Sequence, residues 1–139
     1  MNRTIRVEKV AYFTDHRGMV VEPLGPDEFA SQRNSHLVIT SPRCLRGNHY
    51  HRAGTEVALV LGPALVRYKD GEHVIDREIA QGESYRFTFP PGVPHAMLNS
   101  SDHPMVILSF NTEPHDPDHP DVVREVLIET DHPGLTKLL

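Results

Sequence analysis

Two of the ten histidines stand two residues apart in the segment Gly47-Asn48-His49-Tyr50-His51-Arg52-Ala53-Gly54-Thr55-Glu56. On a β-strand, residues two apart project from the same face, so His49 and His51 point together while Tyr50 turns away. Arg52-Ala53-Gly54-Thr55 reads as a turn, which lets the chain reverse and bring the Glu56 carboxylate back toward the two imidazoles. Further on, Pro90-Pro91-Gly92-Val93-Pro94 makes a rigid turn that delivers a third histidine, His95, onto a new strand, with Asn99 four residues later. Three neutral imidazoles and one carboxylate suit a borderline divalent transition ion, whereas calcium and magnesium would want more oxygen. Four protein ligands on an ion that accepts five or six leave positions for water or substrate, and such an ion polarises a carbonyl or carries a nucleophile. Zinc leads the expectation, with Fe, Mn, Ni and Co open, because spacing does not choose among them.

The elements that must hold these residues are short and β-rich. Segments of Val, Ile, Leu, Tyr and Phe closed by Gly, Pro, Asn or Asp predict strands at Ile5 to Phe13, Met19 to Glu22, Leu37 to Thr40, Val57 to Leu61 and Ala64 to Lys69. Five more are expected at His73 to Ile79, Ser84 to Phe89, His95 to Leu98, Met105 to Asn111 and Val122 to Ile128. Asp70-Gly71 suits a tight hairpin turn, and Leu61-Gly62-Pro63 and Ala80-Gln81-Gly82 break one strand from the next. One short helix is expected over Gly25 to Ala30, capped by Asp27. The three prolines and three acidic residues between Thr112 and Pro120 predict a surface crossing rather than a central strand. The spacing as a whole predicts an all-β barrel or sandwich.

Composition limits the function classes. A chain of 139 residues with 38% apolar and 24% charged residues is expected to be a single soluble domain, 1–139. No apolar run is long enough for a membrane span or resembles a signal peptide, so the default location is cytoplasmic. Scattered basic residues, 14 against 19 acidic, and a net charge of -5 argue against a nucleic-acid partner. Cys44 is the only cysteine, which excludes an intramolecular disulfide and a thiolate zinc cluster; it reads as a small buried residue.

His-x-His, four residues, Glu, then Gly62, with a later Pro-x-Gly-x-x-His-x-x-x-Asn, resembles both sequence motifs of the cupin superfamily. The resemblance implies a cupin jelly-roll β-barrel, or double-stranded β-helix, and places the ligand positions on His49, His51, Glu56 and His95. Asp15-His16-Arg17-Gly18, Val20-Val21-Glu22 and Arg46-Gly47-Asn48-His49-Tyr50-His51 are similar to the sugar-nucleotide branch of the cupins. That branch holds dTDP-4-dehydrorhamnose 3,5-epimerases, dTDP-4-keto-sugar 3,4-ketoisomerases and the C-terminal cupin domain of the bifunctional capsular polysaccharide enzymes of the UDP-N-acetyl-L-fucosamine pathway. Phe110-Asn111-Thr112-Glu113 and Asp116-Pro117-Asp118-His119-Pro120-Asp121 are most similar to the last of these, and the resemblance covers roughly residues 7 to 128. Between Glu56 and Pro90 only the strand pattern matches. The rhamnose epimerase has Gln where His51 stands and needs no metal, so His51 favours the metal-binding side of the branch. The capsular enzyme carries a reductase domain ahead of its cupin, which these residues do not include, so a second reaction is not assigned to this chain.

The resemblance implies an epimerase or ketoisomerase that takes a proton from the carbon beside a ketone of a nucleotide-linked sugar and returns it to the other face or to a neighbouring carbon. The enolate charge then needs an ion or fixed hydrogen-bond donors. His49, His51 and His95 are the candidate catalytic residues; His49 matches both a ligand and the base, roles that compete for one nitrogen. Arg46, Arg17, Glu22 and Asn99 are the candidate substrate contacts. The Arg46 guanidinium either grips a diphosphate or holds the Asp15 turn. His36 is expected at the barrel mouth, Tyr68 and Tyr85 either as acids or, more in keeping with such tyrosines, as half-buried strand residues, and the histidines at 16, 73, 103, 115, 119 and 132 in solvated loops. Two other classes stay open: a cupin dioxygenase using Fe(II), and a non-catalytic sugar-binding module. A homodimer is expected, with the amino-terminal strand or the proline-rich tail covering a sheet edge.

Overall fold

A computed structural model describes residues 4–130. Alternation of apolar and polar residues sets its strands. In Ala64–Asp70, Ala64, Val66 and Tyr68 are buried while Leu65, Arg67 and Lys69 lie nearer the surface. The strands are β1 (Arg6–Lys9), β2 (Tyr12–Asp15), β3 (Gly18–Val21), β4 (Asn34–Thr40), β5 (Leu45–His51) and β6 (Glu56–Leu61). They continue with β7 (Ala64–Asp70), β8 (His73–Ile79), β9 (Ser84–Phe89), β10 (His95–Leu98), β11 (Met105–Asn111) and β12 (Val122–Arg124).

Two five-stranded antiparallel sheets, ordered β1-β9-β6-β11-β4 and β12-β5-β10-β7-β8, form the jelly roll, with β2 and β3 as a separate hairpin. The core lies between the sheets, where Ala58, Val60, Phe87, Phe89 and Ile107 of one meet Val66, Tyr68 and Met97 of the other. Strand β6 is central in its sheet and reads as an apolar run after Glu56, as a strand covered on both faces must. Period two places Glu56 on the same face as Ala58 and Val60, so its carboxylate enters the barrel. Among the described residues, no helix is long and apolar enough to cross a membrane.

Several boundaries differ from expectation. The single strand Ile5 to Phe13 is two: β1 pairs with β9, and the chain then leaves the sheet so that β2 pairs with β3. The bond from Val10 N to Ser84 O, 2.8 Å, is the last backbone tie to β9 before that departure, and Ser84 Oγ donates to Val10 O beside it at 3.2 Å. Strand β5, which carries His49 and His51, and the first residues of β4 extend the expected set. The expected strand Val122 to Ile128 pairs only to Arg124, because the Asn48 side chain takes over: its Oδ1 accepts Leu127 N at 3.0 Å and Ile128 N at 3.1 Å. The helix is α1 (Pro26–Phe29), and Gly25, not Asp27, holds the cap position with no side-chain cap bond. Asp27 lies in the first turn, where its charge merely suits the helix dipole. Residues 112–120 cross the surface without joining a sheet, as their prolines require. Cys44 is half-buried rather than buried.

Candidate metal centre and substrate cavity

His49 and His51 come from β5, Glu56 opens β6, and His95 opens β10 directly opposite His49 in the ladder. The turn Arg52 to Thr55 brings Glu56 back, and Gly54 is needed there, since a Cβ would collide with the Asn111 side chain. One potential ligand atom from each of these four residues lies within 4.8 Å of all the others. Their geometry is convergent: the Nε2 atoms of His95, His51 and His49 stand 2.8, 3.0 and 3.9 Å from a single oxygen, Glu56 Oε2. The other oxygen, Oε1, accepts a 2.7 Å hydrogen bond from Ser109 Oγ.

Each ring is held differently. The His95 ring stacks on Phe89 with centroids 4.2 Å apart, and its Nδ1–H is donated to Val93 O at 2.9 Å. Its Nε2 therefore meets a carboxylate oxygen with its own proton already committed elsewhere, so a cation, proton or metal ion, has to lie between them. His49 is buried and its Nδ1 has no hydrogen-bond partner among the described residues. Burial pushes the His49 proton affinity down, and the nearby Glu56 carboxylate only partly offsets that, which favours the neutral imidazole. For His51 burial also pulls down, but the bonds and charges of Glu56 and Asp121 outweigh it and its pKa is raised. Burial pushes Glu56 up, yet the charge of His95 and the bonds from the three rings hold it well below the ordinary carboxylate range. An anionic carboxylate ringed by three imidazole nitrogens, each offering a lone pair once its proton is displaced, is the donor chemistry of a divalent transition ion, and the four residues fit one.

Three of the four, His49, Glu56 and His95 but not His51, line a cavity of about 40 Å³. That holds an ion and a water or two, so most of a larger ligand would lie across its mouth. His36, Val38, Arg46, Gly47, Met97, Ile107 and Ser109 complete the wall. Arg46 is on the cavity side although it is three residues from His49, an odd step that period two would send to the opposite face. A β-bulge explains it. The register with β10 moves from His95 opposite His49 to Ala96 opposite Gly47, leaving Asn48 extra, with φ of +58° at Asn48 and +87° at Gly47. Gly47 is doubly constrained, since a Cβ there would meet His95 O at 2.7 Å. Arg46 Nε reaches Thr40 Oγ1 at 3.4 Å. It is Arg17 that holds the Asp15 turn.

Three expected substrate contacts fall elsewhere. Arg17 is bound to the Asp15 carboxylate at 2.6 Å, is 76% exposed, and stands on the β2–β3 hairpin outside the cavity wall. Glu22 is exposed beyond the end of β3 and also does not line the cavity. Asn99 is fully buried and its amide is already satisfied. Its Nδ2 donates to Thr40 O, Ser41 O and His103 O, and its Oδ1 accepts from Ser101, so it fastens a turn and has no group left for a ligand. Tyr68 is a core residue, Tyr85 is half-buried against the core, and neither lines the cavity. His36 is in the wall as expected, with His115 edge-on to it at 5.4 Å. His16, His73, His103, His115 and His119 are exposed, and His132 lies outside the described residues. Ser109, Asn111 and Asp121 stand beside the cluster without a role in the sequence reading, although Asn111 and Asp121 belong to segments that carry the family resemblance. Ser109 and Asn111 had a signal, two polar residues at alternate positions of the otherwise apolar strand Met105–Asn111.

A double-sheet antiparallel barrel holding a three-histidine, one-glutamate cluster between its sheets is a cupin with the donor set of a metal centre. Within that class the chain belongs to the polysaccharide biosynthesis C-terminal domain family, which it matches over residues 13–123. No curated protein matches the sequence. Among solved structures it is similar to the capsular polysaccharide assembling protein CapF from Staphylococcus aureus, with 26% identity, a TM-score of 0.61 and 84% of this chain covered. The match takes in only 33% of the CapF chain. It is also similar to the 3,4-ketoisomerase QdtA from Thermoanaerobacterium thermosaccharolyticum in complex with TDP, at 20% identity and a TM-score of 0.68 over 90% of both chains. A dTDP sugar isomerase from Desulfovibrio desulfuricans G20 gives 16% identity and a TM-score of 0.74 over 88% of this chain and 83% of that one. At such identities the last two similarities speak for the fold.

Proposed function

We propose that this chain is a single metal-binding cupin domain that epimerises or ketoisomerises a nucleotide-linked keto-sugar in surface polysaccharide or glycoside biosynthesis. The observation that carries the reading is the convergence of three Nε2 atoms on one Glu56 oxygen, with Glu56, His49 and His95 lining a cavity whose wall also presents Arg46. A bound divalent ion, zinc foremost, would polarise the sugar ketone and stabilise the enolate charge. The family to which the chain belongs, and the ketoisomerase and sugar isomerase that share its fold, support the substrate class.

The chain's own residues do the rest. Arg46 grips the diphosphate at the cavity mouth with two parallel donors, which orients the sugar toward the histidines. Val38, Met97 and Ile107 keep bulk water from the reacting carbon. With its proton on Nδ1, neutral His49 offers a lone pair at Nε2: bound to the ion it would be the fourth ligand, and released from it, with His51, Glu56 and His95 still holding the ion, it is the base that takes the proton beside the ketone.

The protein acts as a homodimer in this reading. Phe13 and Val20 on the hairpin, and Leu37 and Ile39 on the edge strand β4, are 60% exposed or more, an apolar surface for a second copy to cover. Sedimentation showing only the monomer would remove that part.

Elemental analysis of protein purified without chelator tests the metal reading. About one equivalent of zinc per chain is expected. Stoichiometric iron together with substrate-dependent oxygen uptake would overturn it in favour of a dioxygenase.

A further inference from the structure

Of the three site imidazoles, only His51 has two different partners for its outer nitrogen. We propose that Asp121 is the positioning residue of this centre, its carboxylate accepting the Nδ1 proton of His51 and so freeing Nε2 to bind a divalent ion. The inference rests on the reading of His49, His51, Glu56 and His95 as metal donors.

Asp121 immediately precedes β12, whose Val122 pairs with His51. Its carboxylate holds the reversal that joins His51 to Glu56: Oδ1 accepts Ala53 N at 3.0 Å, and Oδ2 accepts Gly54 N at 2.9 Å. Its backbone carbonyl accepts Arg52 N at 2.8 Å. From that fixed place Oδ2 stands 3.6 Å from His51 Nδ1.

Asn111 is the competing partner, with Nδ2 3.4 Å from the same Nδ1. Its Oδ1 accepts Glu113 N at 2.8 Å, so the amide can offer His51 only its N–H side. The two neighbours thus serve opposite tautomers. With the ring proton on Nε2, His51 donates to Glu56 at 3.0 Å and Nδ1 accepts from Asn111. With a metal ion on Nε2 the proton must sit on Nδ1, where the Asn111 amide would face it donor to donor and only the Asp121 carboxylate can accept it. A carboxylate behind a ligating histidine fixes its tautomer and raises its basicity. His95 needs no such help, because Val93 O already fixes its Nδ1 proton.

The test is zinc affinity by chelator competition for the wild type, Asp121→Asn, His51→Ala and the double variant. Asp121→Asn should weaken zinc about 10- to 100-fold. In the His51→Ala background it should add no further loss, because Asp121 acts through His51. Equal losses in both backgrounds would mean that Asp121 only holds the turn, and would overturn the inference. A wild type that takes up no zinc would overturn the metal reading with it, whereas zinc binding indifferent to Asp121→Asn would overturn this inference alone. Nitrogen-15 NMR of the zinc-loaded wild type needs no variant: His51 should show a protonated Nδ1 and a metal-bound Nε2. Zinc on Nδ1, or no proton there, contradicts the proposal.

Discussion

Arg46 and His49 face one cavity from positions three apart on β5, because Asn48 adopts a left-handed conformation between them. The bulge therefore decides whether the candidate phosphate grip and the candidate metal centre share a wall. It also decides where the carboxy-terminal segment docks, since Asn48 uses its amide to hold residues 127 and 128.

Gly47→Ala should destabilise the protein by about 2 kcal/mol and lower its metal uptake, because it combines a positive φ with a collision against the His95 backbone. Gly71→Ala, with φ of +64° but open space around it, should cost only about 1 kcal/mol. Urea denaturation of the two variants makes the comparison. Equal losses would mean that the close approach to His95 carries no weight.

Ser109→Ala removes the only hydrogen bond made to Glu56 Oε1 among the described residues. A buried anion losing a donor costs about 1.5–3 kcal/mol, so the metal-free protein should melt lower by several degrees. An unchanged melting temperature would show that water replaces the hydroxyl.

The metal-free protein should lose stability in acid. Glu56 has a folded pKa below its ordinary 4.5, so its contribution is present above 4.5 and is lost as the pH falls through the folded value. His51, raised above 6.5, adds stability that is full below 6.5 and fades as the pH rises through its folded value. His49, depressed by burial, acts the other way: its unfolded form gains a proton below 6.5, which costs stability there. These two act in opposite directions, and Glu56 shares the acid limb with Asp15, Asp76 and Glu83, which are also held below their ordinary values. Glu56→Gln should flatten the decline below pH 4.5, as seen in denaturation midpoints across pH. A decline as steep as in the wild type would place the acid-sensitive group elsewhere.

Arg46→Ala should weaken binding of thymidine diphosphate at least tenfold, the loss expected when a bidentate anion contact is removed. Arg17→Ala should leave it unchanged, since that guanidinium is tied to Asp15 outside the cavity. Calorimetric titration separates the two, and a larger loss for Arg17 would move the nucleotide to the hairpin.

What could be read in the residues was whatever depends on local period and turn chemistry. The strand interiors were legible in this way, as were the His49/His51 pairing and the return of Glu56 through a Gly-bearing turn. Local period alone sends Arg46 to the wrong face, because one extra residue at Asn48 inverts the alternation; the family resemblance supplies Arg46 instead, and two adjacent residues tolerant of positive φ are the local signal. The single amino-terminal strand was divided because its hydrophobic pattern does not mark where the chain exchanges β9 for its own hairpin. Asn99 was misplaced for a related reason: proximity to His95 in sequence says nothing about the backbone carbonyls waiting for its amide. Asp121 depends on a crossing from residues 112–120 to the turn at 53, a non-local contact that no periodicity encodes.

The most direct test of the account is solvent exchange. Protein holding about one equivalent of zinc is incubated in D2O with a dTDP-linked 4-keto sugar, and the sugar is read by proton NMR. The account predicts deuterium at the carbon beside the ketone, and none with His95→Ala. A zinc-loaded wild type that leaves every such carbon fully protonated would contradict it.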